Sequence, residues 1–574
     1  MSRMDDESTA RLERLTSMLR RRGIILPAFE IHGGAAGLYD FGPLGGRIRN
    51  RVNQAWLEHW LEQGDIVEIN CPTITPYPVL EASGHVGEFS DFMTICGGCQ
   101  ESLRADTLLE GCVDNPDALS RDELESALQE NKPACPACKV SDWGPVKAQN
   151  LMFNTRIGAG RSGRDGFIRP ETAQGMFTNF PSLYRHFRQR LPFGAVQVGK
   201  GYRNEISPRQ GMIRLREFNM AELEYFIDPD IEPDHDLSVW REMTTLLVPD
   251  GAEPIEMTIP AALESGVIRH ATVAWFMART HDLLTSLGID PERLRFRQHE
   301  STEMAHYASD CWDAEIHGSY GWIECVGIAH RGCYDLQAHE EYTGQRLKAW
   351  RAWPEPKQIE TTIHTLDPAT GGPVFRQLAG SVKAAIEAMD ESPDSFPFSL
   401  TLDSGETVEL LEEHVKVEHR SETVNGEWFT PHVVEPAFGI DRIIWHLLDH
   451  AWHETTKNDE DYAMLRLDAG IAAIDAAVLP LFEKDGMDEI ADQLHLAICA
   501  TRGLQSIYDA SGSIGRRYAR ADEVGIPYAI TIDHQSMEDG TATIRSRDTQ
   551  QQIRHSIDEI PDLISSGTVS SMFD

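Results

Sequence analysis

With 574 residues, of which 41% are apolar, the chain is too long for a single core and carries enough hydrophobic side chains for several. No apolar run reaches membrane-spanning length and the start MSRMDDESTARLERL lacks the apolar core of a secretory signal, which argues against insertion and export and predicts a cytoplasmic protein with no membrane partner. The net charge is −39, from 91 acidic against 52 basic residues of which ten are lysine. Such a surface repels nucleic acid at low salt. Dispersed acidity with arginine in place of lysine fits adaptation to molar salt, where charges are screened within roughly 3 Å; an acidic interaction protein is the other reading.

In chain order, residues 9–22 read as a short amphipathic helix and Gly33, Gly34, Gly37, Gly42 and Pro43 punctuate a loop. A helix over 44–63 follows, ending at Gly64, then a strand Ile66 to Ile69 stopped by Pro72. Between Cys96 and Cys138 the texture becomes a small polar module in which CGGC and CPAC bracket a helix around 122–129. Cys96, Cys99, Cys135 and Cys138 offer four thiolates for a tetrahedral zinc, and the 35 residues between the pairs form a module of their own. A redox pair and a remnant that binds no metal are the alternatives.

From Phe167 to Asp228 short apolar runs alternate with loops, as in an antiparallel sheet. Residues 235–300 read as helical and polar. Strand signals return at 320–329 and 432–434, on either side of a stretch from 340 to 428 without a chemical motif. The tail alternates strands (471–482, 526–532, 542–544) with a helix to Ala500 and a last helix from Thr549, a separate α/β domain of about a hundred residues.

The densest chemical signal is Tyr202-Arg203-Asn204-Glu205, a loop to Ile213, and then Arg214-Leu215-Arg216-Glu217-Phe218. A strand–loop–strand hairpin brings these ends together, so that arginines grip phosphates bidentately and an aromatic ring stacks on a base. Arg203 then neutralises an α-phosphate, Glu205 accepts from an exocyclic amine, Arg214 holds a γ-phosphate and Phe218 lies against adenine. An RxE alone is more often a basic surface hairpin. Far downstream, Glu435-Pro436-Ala437-Phe438-Gly439-Ile440-Asp441-Arg442 joins an acid to an arginine through a small-residue turn entering a helix, where Gly439 permits close approach to a ligand and Arg442 completes a clamp on ATP.

These two pieces, with the helix–strand pair ending at Pro72, resemble motifs 2, 3 and 1 of class II aminoacyl-tRNA synthetases. Longer strings sharpen the resemblance to the glycyl-tRNA synthetase family of the archaeal and eukaryotic type: YDFGPLG at 39–45, Ser83-Gly84-His85, RPETAQG at 169–175, RNEISPR at 203–209, CWDAE at 311–315, YGWIE at 320–324, and Gly515 to Pro527 in the tail. The resemblance covers about Arg21 to Ile560. It implies an α+β catalytic domain built on an antiparallel sheet flanked by helices, followed by a mixed α/β anticodon-binding domain. The expected division is 1–95 with motif 1, a zinc-binding insertion at 96–150, 151–234 with motif 2, a helical insertion at 235–300, strands in 301–340, an insertion at 341–428, 429–468 with motif 3, and the anticodon-binding domain at 469–574.

The family's site residues carry over by position. ATP, with Mg²⁺, is expected against Arg203, Asn204, Glu205, Ile213, Arg214, Leu215, Arg216, Glu217, Phe218, Glu324, Cys325, Gly439, Ile440, Asp441 and Arg442, with Arg203 and Arg442 catalytic. Glycine is expected against Arg104, Glu171, Phe218, Asn219, Met220, Ala221, Glu222, Arg331 and the turn Glu435 to Gly439, with Glu324 and Glu435 as the carboxylates for Mg²⁺. Glycine has no side chain to grip, so recognition falls on its ammonium and carboxylate; several acids around one cation fit that task. The resemblance further implies tRNA(Gly) as partner and a homodimer, and arginines 516, 517 and 520 are expected to face the tRNA. Two departures stand out: Ala437 where the family carries serine, and His330 where it more often has an acid.

Overall fold

A computed structural model describes residues 6–573 save 114, 209–210, 301–308, 390–394 and 458–459; Arg209 of the RNEISPR string thus lies outside the described residues. The largest element is a nine-stranded sheet with strands β1 Ile66–Glu68, β2 Phe193–Tyr202, β3 Glu217–Ile227, β4 Thr244–Val248, β5 Ile255–Thr258, β6 Leu294–Gln298, β7 Asp310–Gly318, β8 Gly321–Gly332 and β9 His432–Gly439. Their spatial order is β5-β4-β6-β7-β8-β9-β3-β2-β1. The pairs β1/β2 and β4/β6 are parallel and the rest antiparallel. The stretch 235–300, expected to be helical, instead supplies β4, β5 and β6, which extend the sheet beyond β7. Its helix Ala271–Ser286 is buried nearly all round, so its sequence lacks the polar face that marks a surface helix.

One face of the sheet is covered by helices and the other holds the site. Helix Gly45–Leu61 buries Ile48, Val52, Trp56 and Trp60, spaced four apart on one stripe. The Trp56 and Trp60 rings pack edge-on against Phe438 of β9, with centroids 5.5 and 6.0 Å away, and Trp60 meets Trp275 and Phe276 of helix 271–286. Helix Ile440–Ala451 leaves β9 directly and buries Ile443, Ile444, Trp445, Leu447 and Leu448 in the same core. Because side chains alternate along a strand, each residue buried in this aromatic layer leaves its neighbours pointing into the opposite face.

The tail forms a five-stranded sheet in which two of the inner strands, Ala476–Pro480 and Tyr528–Ile532, are parallel to each other and buried at every residue, as their unbroken apolar runs require. The last helix does not begin at Thr549: Gln552–Ser556 is an edge strand paired with Thr541–Ser546, and helix follows only from Ile560. Arginines from the front of the chain dock this domain. Arg47 donates to the Ala473 carbonyl (2.7 Å), Arg51 to that of Ala472 (2.5 Å) and to Asp475 (2.8 Å), and Arg22 to Glu523 (2.7 Å).

Residues 348–430 are a compact unit of their own. Strands Ala349–Leu366 and Val415–Phe429 pair as a long antiparallel ribbon, and Leu366, Val382, Ile386, Leu400 and Leu410 form a small core. No helix among the described residues is long and apolar enough to cross a membrane.

Candidate active site

The site is read most directly from the sheet register. On the open face, Phe218, Met220 and Glu222 of β3 alternate inward, and Glu222 lies opposite Ala437 of β9, which lies opposite Gly327 of β8. The same alternation turns Ala221 and Pro436 to the other face, so these two expected glycine contacts are corrected: a methyl and a pyrrolidine that support the strands from behind. Phe438 and Asn219 line the pocket, but the Phe438 ring belongs to the aromatic core, and Asn219 is held by Asp441 through its backbone N–H (2.7 Å) and its amide (2.8 Å).

One pocket joins Arg203, Glu205, Ile213, Arg214, Leu215 and Phe218 from the β2–β3 hairpin with Glu324 and Cys325 of β8 and with Gly439, Asp441 and Arg442 beyond β9. Residues that are more than two hundred positions apart in sequence meet here. The Arg203 guanidinium lies 5.5 Å over the Phe218 ring and 5.2 Å over Phe89. Beneath Phe218 is Gly201, where an added Cβ would come within 2.6 Å of the ring, so a side chain there would push the aromatic platform out of place. Arg442 donates to the Ile213 carbonyl (3.1 Å) and the Glu324 carbonyl (2.7 Å), with the Glu324 carboxylate at 3.4 Å, and so ties the hairpin loop to β8.

Four expected ATP contacts are not brought to this pocket. Asn204 donates its backbone N–H to Leu151 (2.6 Å). Arg216 holds the hairpin together through the carbonyls of Glu205 (3.0 Å) and Ala36 (2.9 Å). Glu217 pairs outward with Lys200, and Ile440 is buried in the core.

Behind the pocket sits a cluster of acids around one arginine. Arg331 bonds Asp335 (2.9 Å) and Glu435 (2.5 Å), all three buried. Glu171 accepts from Gln174 (3.0 Å) and faces His85 (3.3 Å), whose other ring nitrogen meets the Ser83 hydroxyl at 2.8 Å. Glu222 accepts from the Thr172 N–H (2.7 Å) and hydroxyl. Burial, reinforced by Glu435 and Glu171, pushes the Glu222 carboxyl up to about 8. Burial also raises Glu171, but His85 and Arg331 outweigh it and hold that carboxyl well below the usual range. Glu224, with neither oxygen hydrogen-bonded, is driven well upward by burial and by Glu435.

Arg104, expected beside glycine, lies in an adjoining cavity that shares Arg214, held by Asp91 (2.9 Å) and Asp106 (3.0 Å). The two carboxylates expected to share Mg²⁺ are not brought together either. Ala329 lies opposite Glu435, five residues along β8 from Glu324, which is about 16 Å. The strand rise separates them too far for one ion.

The comparisons with known proteins agree with this geometry. Residues 158–332 match the "tRNA synthetase class II core domain (G, H, P, S and T)" and residues 475–566 the "Anticodon binding domain". Glycine–tRNA ligase of Methanothrix thermoacetophila is 46% identical over 564 residues, covering 96% of each chain. That of Methanocaldococcus jannaschii is 42% identical over 572 residues, covering 96% of this chain and 98% of its own. The chain belongs to the glycine–tRNA ligase family. A solved prolyl-tRNA synthetase from Giardia lamblia, in complex with prolyl-adenylate, aligns with a TM-score of 0.49 at 12% identity, over 96% of this chain and 76% of that one.

Sequence reasoning missed several members of this ligase site. Met212 in the pocket wall, Asp335 on Arg331, and Glu224 carry no motif signal, the alternation Glu222-Leu223-Glu224 being the one hint for the last, while Thr172 on Glu222 lies in the RPETAQG string without an expected role of its own. In the tail, Arg517 is buried and donates to the carbonyls of Gly512 (2.8 Å) and Pro480, and Arg520 pairs with Asp509 (2.6 Å), so Arg517 is a structural clamp and not a surface contact. His330 stacks on His270, with centroids 4.2 Å apart, and bonds Ser309 (2.7 Å) on the helix-covered face, away from Ala437.

The Cys96, Cys99, Cys135 and Cys138 sulfurs all lie within 4.8 Å of one another, with Cys96–Cys138 at 3.6 Å and Cys99–Cys135 at 3.7 Å. Zn–S bonds of about 2.3 Å in a tetrahedron put sulfurs roughly 3.8 Å apart. The cluster is therefore compatible with zinc.

Proposed function

We propose that the protein joins glycine to tRNA(Gly) through a glycyl-adenylate made from ATP. The observation that carries this reading is the convergence of Arg203, Phe218, Arg214 and Arg442 with Glu222 in one pocket, between a phosphate-binding end and an acid-lined end, in a chain whose full-length relatives are glycine–tRNA ligases. Adenine stacks on Phe218, with Glu205 for its exocyclic amine. Arg203 neutralises the α-phosphate, while Arg214 and Arg442 hold the terminal phosphates. The glycine ammonium is held among Glu222, Glu171 and Glu435. Its carboxylate attacks the α-phosphorus in line and pyrophosphate leaves; the terminal ribose hydroxyl of the tRNA then attacks the adenylate carbonyl.

Glu324 would hold Mg²⁺, which would supply charge neutralisation to the phosphates. One structural zinc on the four cysteines fixes the 96–150 module. The enzyme works in the cytoplasm as a homodimer, and residues 469–574 read the tRNA. The test is ATP–pyrophosphate exchange with each amino acid in turn, then transfer to tRNA, in molar KCl. Exchange with glycine alone is expected. Exchange driven by another small amino acid, or none, overturns the reading.

A further inference from the structure

Outside the four-cysteine module, a second set of soft and hard donors gathers on the open face of the main sheet. His299 follows β6 directly, and its N–H donates to the Cys311 carbonyl of β7 (3.0 Å). The register Gln298–Trp312 and Arg297–Asp313 makes His299 and Cys311 cross-strand partners, with Asp313 two residues further along and therefore on the same face as Cys311. One ligand atom from each of the three lies within 4.8 Å of the other two. Asp313 is opposite Gly327, which is opposite Ala437, so the triad is two strands, about 10 Å, from the amino-acid pocket.

We infer that His299, Cys311 and Asp313 form a second metal site, for a divalent transition ion of the zinc class, beside the amino-acid pocket. A His–Asp ion pair accounts for two members of the group: His299 Nε2 is 2.8 Å from Asp313 Oδ2. The cross-strand register brings the Cys311 thiol within reach of both and completes a third donor. An imidazole, a thiolate and a carboxylate are the mixed donor set that selects zinc over magnesium or calcium. Bond lengths of about 2.0 to 2.3 Å set such donors roughly 3.3 to 3.8 Å apart, inside the 4.8 Å within which these atoms already lie. Arg297 stands 3.3 Å from the same Oδ2, leaving Oδ1 as the oxygen for the metal. Three protein ligands leave a fourth position for water or an anionic oxygen. Glu324 interacts through space with both Asp313 and His299.

On loading, M²⁺ binds an imidazole nitrogen, the Cys311 sulfur and an Asp313 oxygen; the thiol releases its proton, no electrons move, and binding strengthens as pH rises.

The experiment uses the full chain, incubated with excess ZnCl₂ in molar KCl, desalted, and assayed for zinc per protein. Cys311→Ser and His299→Gln, each shown to be folded by circular dichroism, are expected to hold one equivalent less than the natural chain, whatever the four-cysteine module retains. If either folded variant keeps the natural chain's zinc content, the site is overturned. Should one of them fail to fold, Asp313→Asn takes its place under the same criterion.

Discussion

Glu222 stands opposite Ala437 across the β3–β9 pairing, so the acid proposed to hold the glycine ammonium has a bare methyl as its cross-strand neighbour. The serine hydroxyl expected at position 437 is absent, and His330 does not replace it because its ring is on the other face. A net hydrogen bond is worth about 0.5 to 1.5 kcal/mol. Ala437→Ser is therefore expected to lower the glycine KM by up to about tenfold and to sharpen rejection of alanine. Steady-state exchange with both amino acids checks this.

The raised Glu222 carboxyl gives a pH dependence of opposite sign for stability and for binding. Its folded-state value of about 8 lies above the ordinary 4.5, chiefly through burial. The folded chain thus holds a proton that the unfolded chain releases, and stability falls as pH rises from about 4.5 towards 8. Glu222→Gln removes the ionisation, and is expected to raise the melting temperature at pH 8 while weakening glycine binding at least a hundredfold. Thermal unfolding at pH 6 and pH 8, with glycine titrations alongside, measures both.

Arg442 bridges the Ile213 carbonyl and Glu324 with different nitrogens of one planar group, which the single ammonium of lysine cannot reproduce. Arg442→Lys should reduce kcat/KM for ATP by about a hundredfold or more, the scale of losing about 3 to 4 kcal/mol of transition-state stabilisation. Pyrophosphate exchange at varied ATP reads it directly. An unchanged kcat/KM would remove Arg442 from the clamp.

With 91 acids against 52 bases, self-repulsion is strong when the Debye length is about 10 Å and nearly gone when it is about 3 Å. The melting temperature is expected to climb from 0.1 M to multimolar KCl. A flat or falling curve would show that the charge is balanced locally.

The module 96–150 contributes no residue to the pocket wall around Phe218, although Ala134 and Pro136, on either side of Cys135, line the adjoining cavity that shares Arg214. Cys135→Ser is expected to lose metal and several degrees of melting temperature while pyrophosphate exchange falls less than threefold. Metal analysis with calorimetry and exchange on the same preparation tests all three.

Much of this protein is legible in its sequence. The strings around Arg203 to Phe218 and Glu435 to Arg442 mark the residues that meet in one pocket because hairpin and turn geometry are local, and period-two alternation through Glu222 and Glu224 marks a strand with one polar face. The two CxxC pairs announce their cluster by spacing alone. What the tertiary structure decided is which face each residue occupies and which acids meet. Pro436 and Ala221 turned to the core because strand parity is set by register. Glu324 and Glu435 separated because strand rise keeps them about 16 Å apart. Strands β4, β5 and β6 joined the sheet because β6 pairs with β7 and β4 with β6, and Arg517 became a buried clamp because its neighbours' carbonyls needed donors. Those outcomes depend on contacts between distant segments, which no local pattern of residues encodes.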